Sequence, residues 1–247
     1  MSTAHSKEIS SQLLKIKNKT RAIDVARFFK TGPGEYGEGD QFLGLTVPQI
    51  RKIASQHKQA DIKTIEALLQ SEFHEIRFCG LVILTDQFNK CKSQDEKKRI
   101  YNFYVRQIKN GAVNNWDLID VPGSTIGEYL LDTDEHIEVL KKFAKSKNLW
   151  VRRSAVIFTF PFIRIGDVKP TIEICELLIG DDHDLIHKAT GWALREVGKR
   201  NVAALRGFLN EYCDVMPRTM LRYAIEKLPE SERKRWLRGI YSPNASQ

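Results

Sequence analysis

Val151-Arg152-Arg153-Ser154-Ala155-Val156 is the stretch that decides the fold, because its plan recurs along the chain. An aliphatic residue is followed by a basic residue, a spacer and a small residue. The same plan is found in segments 76–81, 186–191 and 221–224, whose starts are separated by 75, 35 and 35 residues. The longer gap leaves room for a divergent unit around 113–121. A period of about 35–40 residues with two helices per unit is typical of a helical repeat protein.

Apolar residues recur at helical spacing over almost the whole chain, and alternating runs are scarce. We therefore predict an all-α fold of stacked helical repeats, with the basic repeat residues lined up as a stripe along the stack. One repeat domain is expected over 1–247, with a ragged C-terminal tail at 240–247. The spacing predicts helices over residues 6–18, 21–30, 47–57, 61–70, 74–90, 94–108, 136–146, 149–160, 168–179, 184–198, 202–213, 216–228 and 230–239.

The charge balance favours a polyanionic partner. The 247 residues include 39 Lys and Arg against 31 Asp and Glu, a net charge of +8 with a pI near 9.3. A surplus of this size favours nucleic-acid binding through counterion release. The alternative is a basic protein that binds no nucleic acid.

Cysteine usage and the N-terminus indicate a cytoplasmic protein. The four cysteines have no CxxC spacing, and three lie in apolar helical contexts typical of small core residues. The first ten residues, MSTAHSKEIS, contain no apolar segment of a secretory signal. The longest apolar stretch, 155–163, is about half the length that a membrane span needs. We expect a protein that is neither exported nor membrane-spanning.

Segment 31–44, TGPGEYGEGDQFLG, interrupts the helical pattern. Its five glycines and one proline exclude a regular helix. It is not a phosphate-binding loop, because no Gly-Lys-Ser/Thr follows and Glu35, Glu38 and Asp40 would repel phosphate. The segment is either a long surface loop or a flap over a ligand.

Trp116 and Asp120, in the stretch 114–120, form the first candidate site. If the stretch is helical, they share a face one turn apart. A carboxylate on a DNA-facing surface repels phosphate and needs a reason to be there. From spacing alone we favour the other interpretation, in which Trp116 is a core residue and Asp120 caps a following helix.

A second cluster lies in segment 187–196, where Lys188, Trp192 and Arg195 are three to four residues apart and share a helical face. A cation beside an indole could stack on a nucleoside and hold a phosphate. A core tryptophan with a surface arginine is the alternative. In the adjacent pair Arg152 and Arg153, one arginine could face DNA while the other bonds within the repeat.

His183 and His187 have an i, i+4 spacing that can bind zinc, but the glutamate of a zincin motif is missing between them. We therefore assign no metal site. Signature motifs of hydrolases with a nucleophilic serine, kinases and dinucleotide-binding enzymes are also absent from the sequence, and no cofactor is expected.

These residues together resemble the AlkD-type DNA alkylation repair family, DNA glycosylases built from HEAT-like repeats. The matching pieces are 115–120, 150–153 and 188–196, in the family's order and with similar spacing. The resemblance covers nearly the whole chain. It implies a curved, right-handed α-solenoid with a concave basic groove for DNA.

The resemblance also implies an activity and its residues. The activity is removal of alkylated purines such as 3-methyladenine and 7-methylguanine from double-stranded DNA, in base excision repair. Asp120 corresponds to the catalytic carboxylate, while Trp116 and Trp192 would flank the deoxyribose of the lesion. Arg153 and Arg195 would hold the DNA backbone, and we add Lys188 and Arg152 as further DNA-binding candidates. A monomer without cofactor is expected.

Two departures separate this chain from the best-known branch of the family. That branch has a second tryptophan immediately before the first motif tryptophan, where this chain has Asn115. It also lacks the glycine-rich loop 31–44. Some relatives lack the catalytic carboxylate, but this sequence keeps Asp120, which favours activity.

Three other function classes remain open at this point. A non-catalytic HEAT-like module would bind DNA without excision, and a protein–protein scaffold would show no salt-dependent retention on DNA or heparin resin. A metal-dependent hydrolase would be sensitive to chelators.

Overall fold

The structure, a computed structural model, describes residues 2–239, and its regular elements are all helices. No strand occurs in this range, and the one extended pairing is an isolated bridge between Gln41 and Phe73. The all-α prediction is therefore confirmed. The tail that we predict at 240–247 lies outside the described residues.

The chain divides into two compact units between Ile126 and Gly127. The helices of unit 1 are α1 (Ser2–Lys15), α2 (Lys19–Phe28), α3 (Val47–Ala54), α4 (Ile62–Leu69), α5 (His74–Phe88), α6 (Gln94–Lys109) and α7 (Trp116–Ile126).

Unit 2 begins with a 3₁₀ helix, Gly127–Asp132. The helices that follow are α8 (His136–Ala144), α9 (Leu149–Ile157), α10 (Phe160–Ile165), α11 (Lys169–Leu177), α12 (Asp184–Arg200), α13 (Val202–Tyr212), α14 (Arg218–Ala224) and α15 (Glu230–Leu237).

The helix starts follow local sequence signals. Thr46 and Gln49 form a capping box at α3, and Ser93 and Glu96 form another at α6. Each box satisfies backbone N–H groups that have no partner within the helix. Pro161 lies in the first turn of α10, which begins at Phe160, so the helix that we predict over 149–160 is in fact α9 followed by the start of a new helix.

The small residues of the repeat lie at helix contacts, as predicted. They are buried in all four repeats: Cys79, Ser154, Ala189 and Ala224. In unit 2 the repeat helices pack in order, α9 on α12 and α12 on α14. The approach of α12 to α14 is so close that a Cβ on Gly191 would lie 2.5 Å from the carbonyl oxygen of Met220. In unit 1, α7 packs on α5 and occupies the place of the divergent unit around 113–121.

The basic repeat residues have a local structural role. The Nη1 atoms of Arg77 and Arg152 each donate to a carbonyl oxygen six residues earlier, of Ser71 and Ser146, at 3.0 Å. His187 makes the equivalent bond to the carbonyl of Asp181. A carbonyl in the turn before each of these three helices thus accepts a hydrogen bond from a guanidinium or imidazole N–H. We predicted these side chains as a stripe for DNA, but in three repeats they fasten the turn.

Helix α7 and the 3₁₀ helix are not among the helices that we list from spacing. Pro122 and Gly123 lie inside α7, and Gly127 starts the 3₁₀ helix. These residue types normally end helices, so they hide a helix from periodicity arguments. No helix in 2–239 is both long and apolar enough to cross a membrane.

Candidate functional site

Helix α7 carries the first candidate pair. Trp116 is its first residue and Asp120 follows one turn later, inside the helix. The interpretation that Asp120 caps a following helix is therefore wrong. Asp120 is only 9% exposed, whereas Trp116 is half-buried rather than a core residue.

Tyr104 of α6 holds α7 from the interior of unit 1. Its hydroxyl donates to the carbonyl oxygens of Leu118 at 2.9 Å and Ile119 at 3.1 Å. Burial, together with the nearby carboxylates of Asp120 and Asp117, raises the pKa of Tyr104 well above its usual value. The phenol therefore stays protonated and remains a donor to the α7 backbone.

The indole of Trp116 borders an aromatic cavity of about 490 Å³ within unit 1. One face of the indole stacks on Phe29, with ring centroids 5.3 Å apart and planes within 10°. Phe28 approaches it edge-on at 6.1 Å. The residues that line the cavity are Arg21, Asp24, Val25, Phe28, Phe29, Phe42, Leu45, Val47, Ile50, His74, Glu75, Phe78, Trp116, Asp117 and Val121.

A buried ionic cluster, formed by Asp40, His74, Arg77, Asn115 and Asp117, joins the glycine-rich loop to the start of α7. Nδ1 of His74 lies 3.1 Å from Asp40 and Nε2 lies 2.8 Å from Asp117. Arg77 pairs with the second oxygen of Asp40 at 2.5 Å. Asn115 donates its amide to Asp40 at 2.9 Å.

The imidazole of His74 lies between two acceptors, so both of its nitrogens must carry protons. Burial alone would lower the pKa of His74, but the carboxylates of Asp117 and Asp40 outweigh burial and raise it to about 9. Burial alone would raise the pKa of Asp40, but its bonds to His74, Arg77 and Asn115 lower it below the usual value. His74 is therefore protonated and Asp40 is ionised at neutral pH.

The end of loop 31–44 is fixed by a second carboxylate. Glu75 is buried and accepts the backbone N–H groups of Leu43, Gly44 and Leu45 at 2.8 to 3.1 Å. Gly44 has φ +77°, and a Cβ there would lie 2.2 Å from the carbonyl oxygen of Asn18. Phe42 lines the aromatic cavity. The loop is therefore packed as a wall of that cavity at this end.

Sequence reasoning missed the roles of Asp40, His74, Glu75 and Asp117. Their contacts join positions 30 to 75 residues apart, and helical spacing carries no information over such distances. The sequence offered one signal for such a contact. Asp40 is an acid in the glycine-rich loop, and the four residues after it in the loop are uncharged.

Asn115 is fully buried directly before α7, and its side chain makes two hydrogen bonds there. Its amide nitrogen binds Asp40, and its carbonyl oxygen accepts the backbone N–H of Trp116 at 2.8 Å. The two departures from the best-known branch, Asn115 and the glycine-rich loop, are therefore bonded directly to each other.

Unit 2 carries the second cluster, on α12. The indole nitrogen of Trp192 donates to Glu196 at 3.2 Å, and its ring contacts Phe160 with centroids 4.6 Å apart. Arg195 pairs with Glu226. Lys188 pairs with Asp184 at 2.6 Å through partly exposed side chains. Lys188, Trp192 and Arg195 all belong to α12, so their spacing places them on one face of that helix, as predicted.

Arg152 and Arg153 both bond within unit 2. Arg152 pairs with Asp181 at 2.6 Å, in addition to its bond to the preceding turn. Arg153 is 4% exposed and donates from Nη1 to the carbonyl of Leu185. We expected one arginine to bond within the repeat and the other to face DNA, and the first part holds for Arg152, which bonds to the turn before its own helix. Arg153 is buried against the next repeat helix rather than turned outward.

The two histidines at zinc spacing have other roles. His183 is the N-cap of α12, where Nδ1 accepts the N–H of Leu185 at 3.1 Å. His187 bonds to the carbonyl of Asp181. Over the described part of the chain, no three His, Cys, Asp or Glu side chains are grouped as metal ligands.

Comparisons with known proteins place the chain in a family. The sequence model of the DNA alkylation repair enzyme family matches residues 9–228. No curated protein matches the chain. A solved structure described as a predicted DNA alkylation repair enzyme from Enterococcus faecalis is similar, with a TM-score of 0.68 and 16% identity over 87% of this chain and 97% of that one. At this identity the likeness shows the fold, whereas the family match covers most of the chain, so this protein belongs to the DNA alkylation repair enzyme family.

Proposed function

We propose that this protein is a DNA glycosylase that removes cationic N3- or N7-alkylated purines from double-stranded DNA, in base excision repair. The observation that carries the proposal is the pair on α7. Asp120 is largely withdrawn from water, and Trp116, one turn before it, is half-buried at an aromatic cavity. Family membership supplies the setting of DNA alkylation repair.

The chemistry requires little of the enzyme beyond this pair. Alkylation at N3 or N7 gives the purine a positive charge, so its glycosidic bond is already weakened. As that bond breaks, its electrons neutralise the base and positive charge develops on the sugar. A carboxylate at Asp120 would stabilise the developing charge and accept a proton from the water that attacks C1′. This corresponds to one carboxylate of a glycosidase, without the general acid.

The tryptophans would assist by a related effect. The faces of Trp116 and Trp192 carry negative potential, which stabilises a cation by roughly 1–2 kcal/mol when the contact is desolvated. Their neighbours already hold them in place, since Phe29 stacks on Trp116 and Glu196 accepts the indole N–H of Trp192.

For the DNA backbone contacts of unit 2 we propose Arg195 and Lys188. Each pairs with a carboxylate that is itself about half exposed, Glu226 and Asp184. Exposed pairs are worth little, so a phosphate can replace the carboxylate at small cost. Arg153 would have to give up a buried hydrogen bond and Arg152 its pair with Asp181, so we place these two arginines behind the others as DNA contacts.

The test is release of modified bases from methylated DNA by the wild type and by Asp120→Asn. We expect the variant to bind DNA as the wild type does and to lose excision by roughly 100-fold or more, because it loses a preorganised negative charge. Asp95→Asn, at an exposed position of α6, is the matched control and should excise normally.

Each outcome decides between classes. Normal excision by Asp120→Asn would remove the carboxylate from the mechanism. DNA binding without excision by the wild type would favour a non-catalytic module.

The proposed function also implies a location. As a DNA repair protein, this protein would act on the chromosome in the cytoplasm.

A further inference from the structure

The net charge of the chain is concentrated near its beginning. Segment 15–30 contains six cations and one acid, Asp24, a net charge of +5 in a chain whose total is +8. We call these six side chains the α1–α2 basic patch: Lys15, Lys17, Lys19, Arg21, Arg27 and Lys30. They lie at the end of α1, in the connection to α2, in α2 itself and just after it.

All six residues of the α1–α2 basic patch are exposed. Within the described ranges, none of them forms an ion pair. The DNA-binding candidates of unit 2 differ from this patch. Arg152, Lys188 and Arg195 each form an ion pair with a carboxylate. An unpaired cation binds a phosphate without first giving up another partner.

Helix α2 also exposes apolar side chains beside these cations. None of its residues is fully buried, and Ile23 and Phe28 are 57% and 67% exposed. Lys19, Ile23 and Arg27 follow one another at i, i+4 and i+8 and therefore form one stripe. Cations next to exposed apolar residues are typical of proteins that contact both the phosphates and the sugars of DNA.

The α1–α2 basic patch adjoins the candidate catalytic helix within unit 1. The ring of Phe28 lies 6.1 Å from that of Trp116, and the next residue, Phe29, stacks on the same indole. Arg21 lines the aromatic cavity beside them. DNA held by the patch would therefore pass close to the start of α7.

We propose that the α1–α2 basic patch is a contact surface for the phosphate backbone of DNA. The proposal rests on the proposed function in one respect, that DNA is the partner. Lys and Arg neutralise phosphates and release the counterions condensed on them, so each contact makes binding more sensitive to salt. The patch supplies this contact from unit 1, where the resemblance assigns no residue to the DNA backbone.

The experiment measures binding to an undamaged duplex as a function of salt concentration. A test variant and a control variant each replace four cations through Lys→Gln or Arg→Gln exchanges, which preserve helix propensity. The test variant carries K17Q, K19Q, R21Q and R27Q. The control carries K90Q, K92Q, K98Q and R99Q, all at exposed positions of unit 1.

We expect the test variant to bind more weakly, with a slope of log K against log salt that is flatter by roughly 0.9 for each phosphate that the protein no longer neutralises. The control should keep a slope close to that of the wild type. Circular dichroism of both variants checks that they are folded. Equal weakening in test and control would show an effect of net charge alone, and would overturn the proposal.

Excision is assayed separately, so the two proposals can fail independently. A wild type that binds DNA through the patch but releases no base would refute the glycosylase and leave the surface in place. A wild type that releases bases, with an unchanged slope in the test variant, would refute the surface and leave the glycosylase.

Discussion

Arg77 in unit 1 and Arg152 in unit 2 occupy the same position of the repeat and differ in what they bind. Each donates to the carbonyl six residues earlier, so the local bond is the same. Arg152 then pairs with Asp181, in the turn before the next repeat helix. Arg77 instead pairs with Asp40, which belongs to the glycine-rich loop.

The difference shows how a repeat accommodates an insertion. The carboxylate of Asp40 is 3% exposed and shared with His74 and Asn115, so one repeat arginine has become part of a buried network. In unit 2 the arginine is 18% exposed and serves neighbouring turns. A position that fastens a turn in three of the repeats therefore also anchors a loop in one of them.

The largest expected loss in the free energy of unfolding comes from Arg77→Met. This change leaves the buried carboxylate of Asp40 without its guanidinium, and the loss of one partner of a buried pair costs about 3–5 kcal/mol. Urea denaturation at pH 7 measures the free energy of unfolding. A loss as small as that of Arg152→Met would show that Asp40 does not depend on Arg77.

The second effect is a loss of stability at alkaline pH. The pKa of His74 is raised, so the stability that its protonation supplies is fully present below its ordinary pKa of about 6.5 and is lost as pH rises through about 9. The groups around the imidazole are Asp40 of the loop, Asp117 of α7 and, through Asp40, Arg77 of α5. The loss amounts to at most about 3 kcal/mol.

Unfolding curves from pH 7 to pH 10 measure this loss, and His74→Gln is the comparison. Glutamine cannot donate to both carboxylates as a cation, so the variant should be less stable at pH 7 and less sensitive to pH above it. A wild type whose stability is the same at pH 7 and pH 10 would contradict the assignment of an imidazolium at this position.

The smallest loss in the free energy of unfolding is expected for Arg152→Met, about 1 kcal/mol, because the side chain of Arg152 is more exposed to water than that of Arg77, 18% against 8%. Asp181 also keeps the backbone N–H of His183 as a partner. The same urea assay applies. A loss as large as that of Arg77→Met would remove the contrast between the two units.

Much of the fold could be predicted from the sequence, because helices are local. The repeat plan, its buried small residues and the non-helical loop 31–44 all follow from neighbours a few positions apart. Helix α7 was harder to see, since Pro122 and Gly123 lie inside it. Helical periodicity alone treats such residues as ends.

The candidate site was only partly predictable. The shared face of Trp116 and Asp120 follows from their spacing, but Asn115 contacts a residue 75 positions away. The role of the basic repeat residues had a local signal that spacing arguments did not use. Six residues before three of them, Arg77, Arg152 and His187, the chain has Ser71, Ser146 and Asp181, whose side chains each accept the N–H two residues later.

The bond between Asn115 and Asp40 restricts how this protein can be recombined with relatives. A chimera that receives tryptophan at position 115 but keeps loop 31–44 would need room for an indole at a fully buried site and would take a donor from Asp40. One that loses the loop but keeps Asn115 would leave a buried amide without its acceptor. Loop 31–44 and the residue before Trp116 therefore depend on each other, and a chimera between relatives should take both from the same parent.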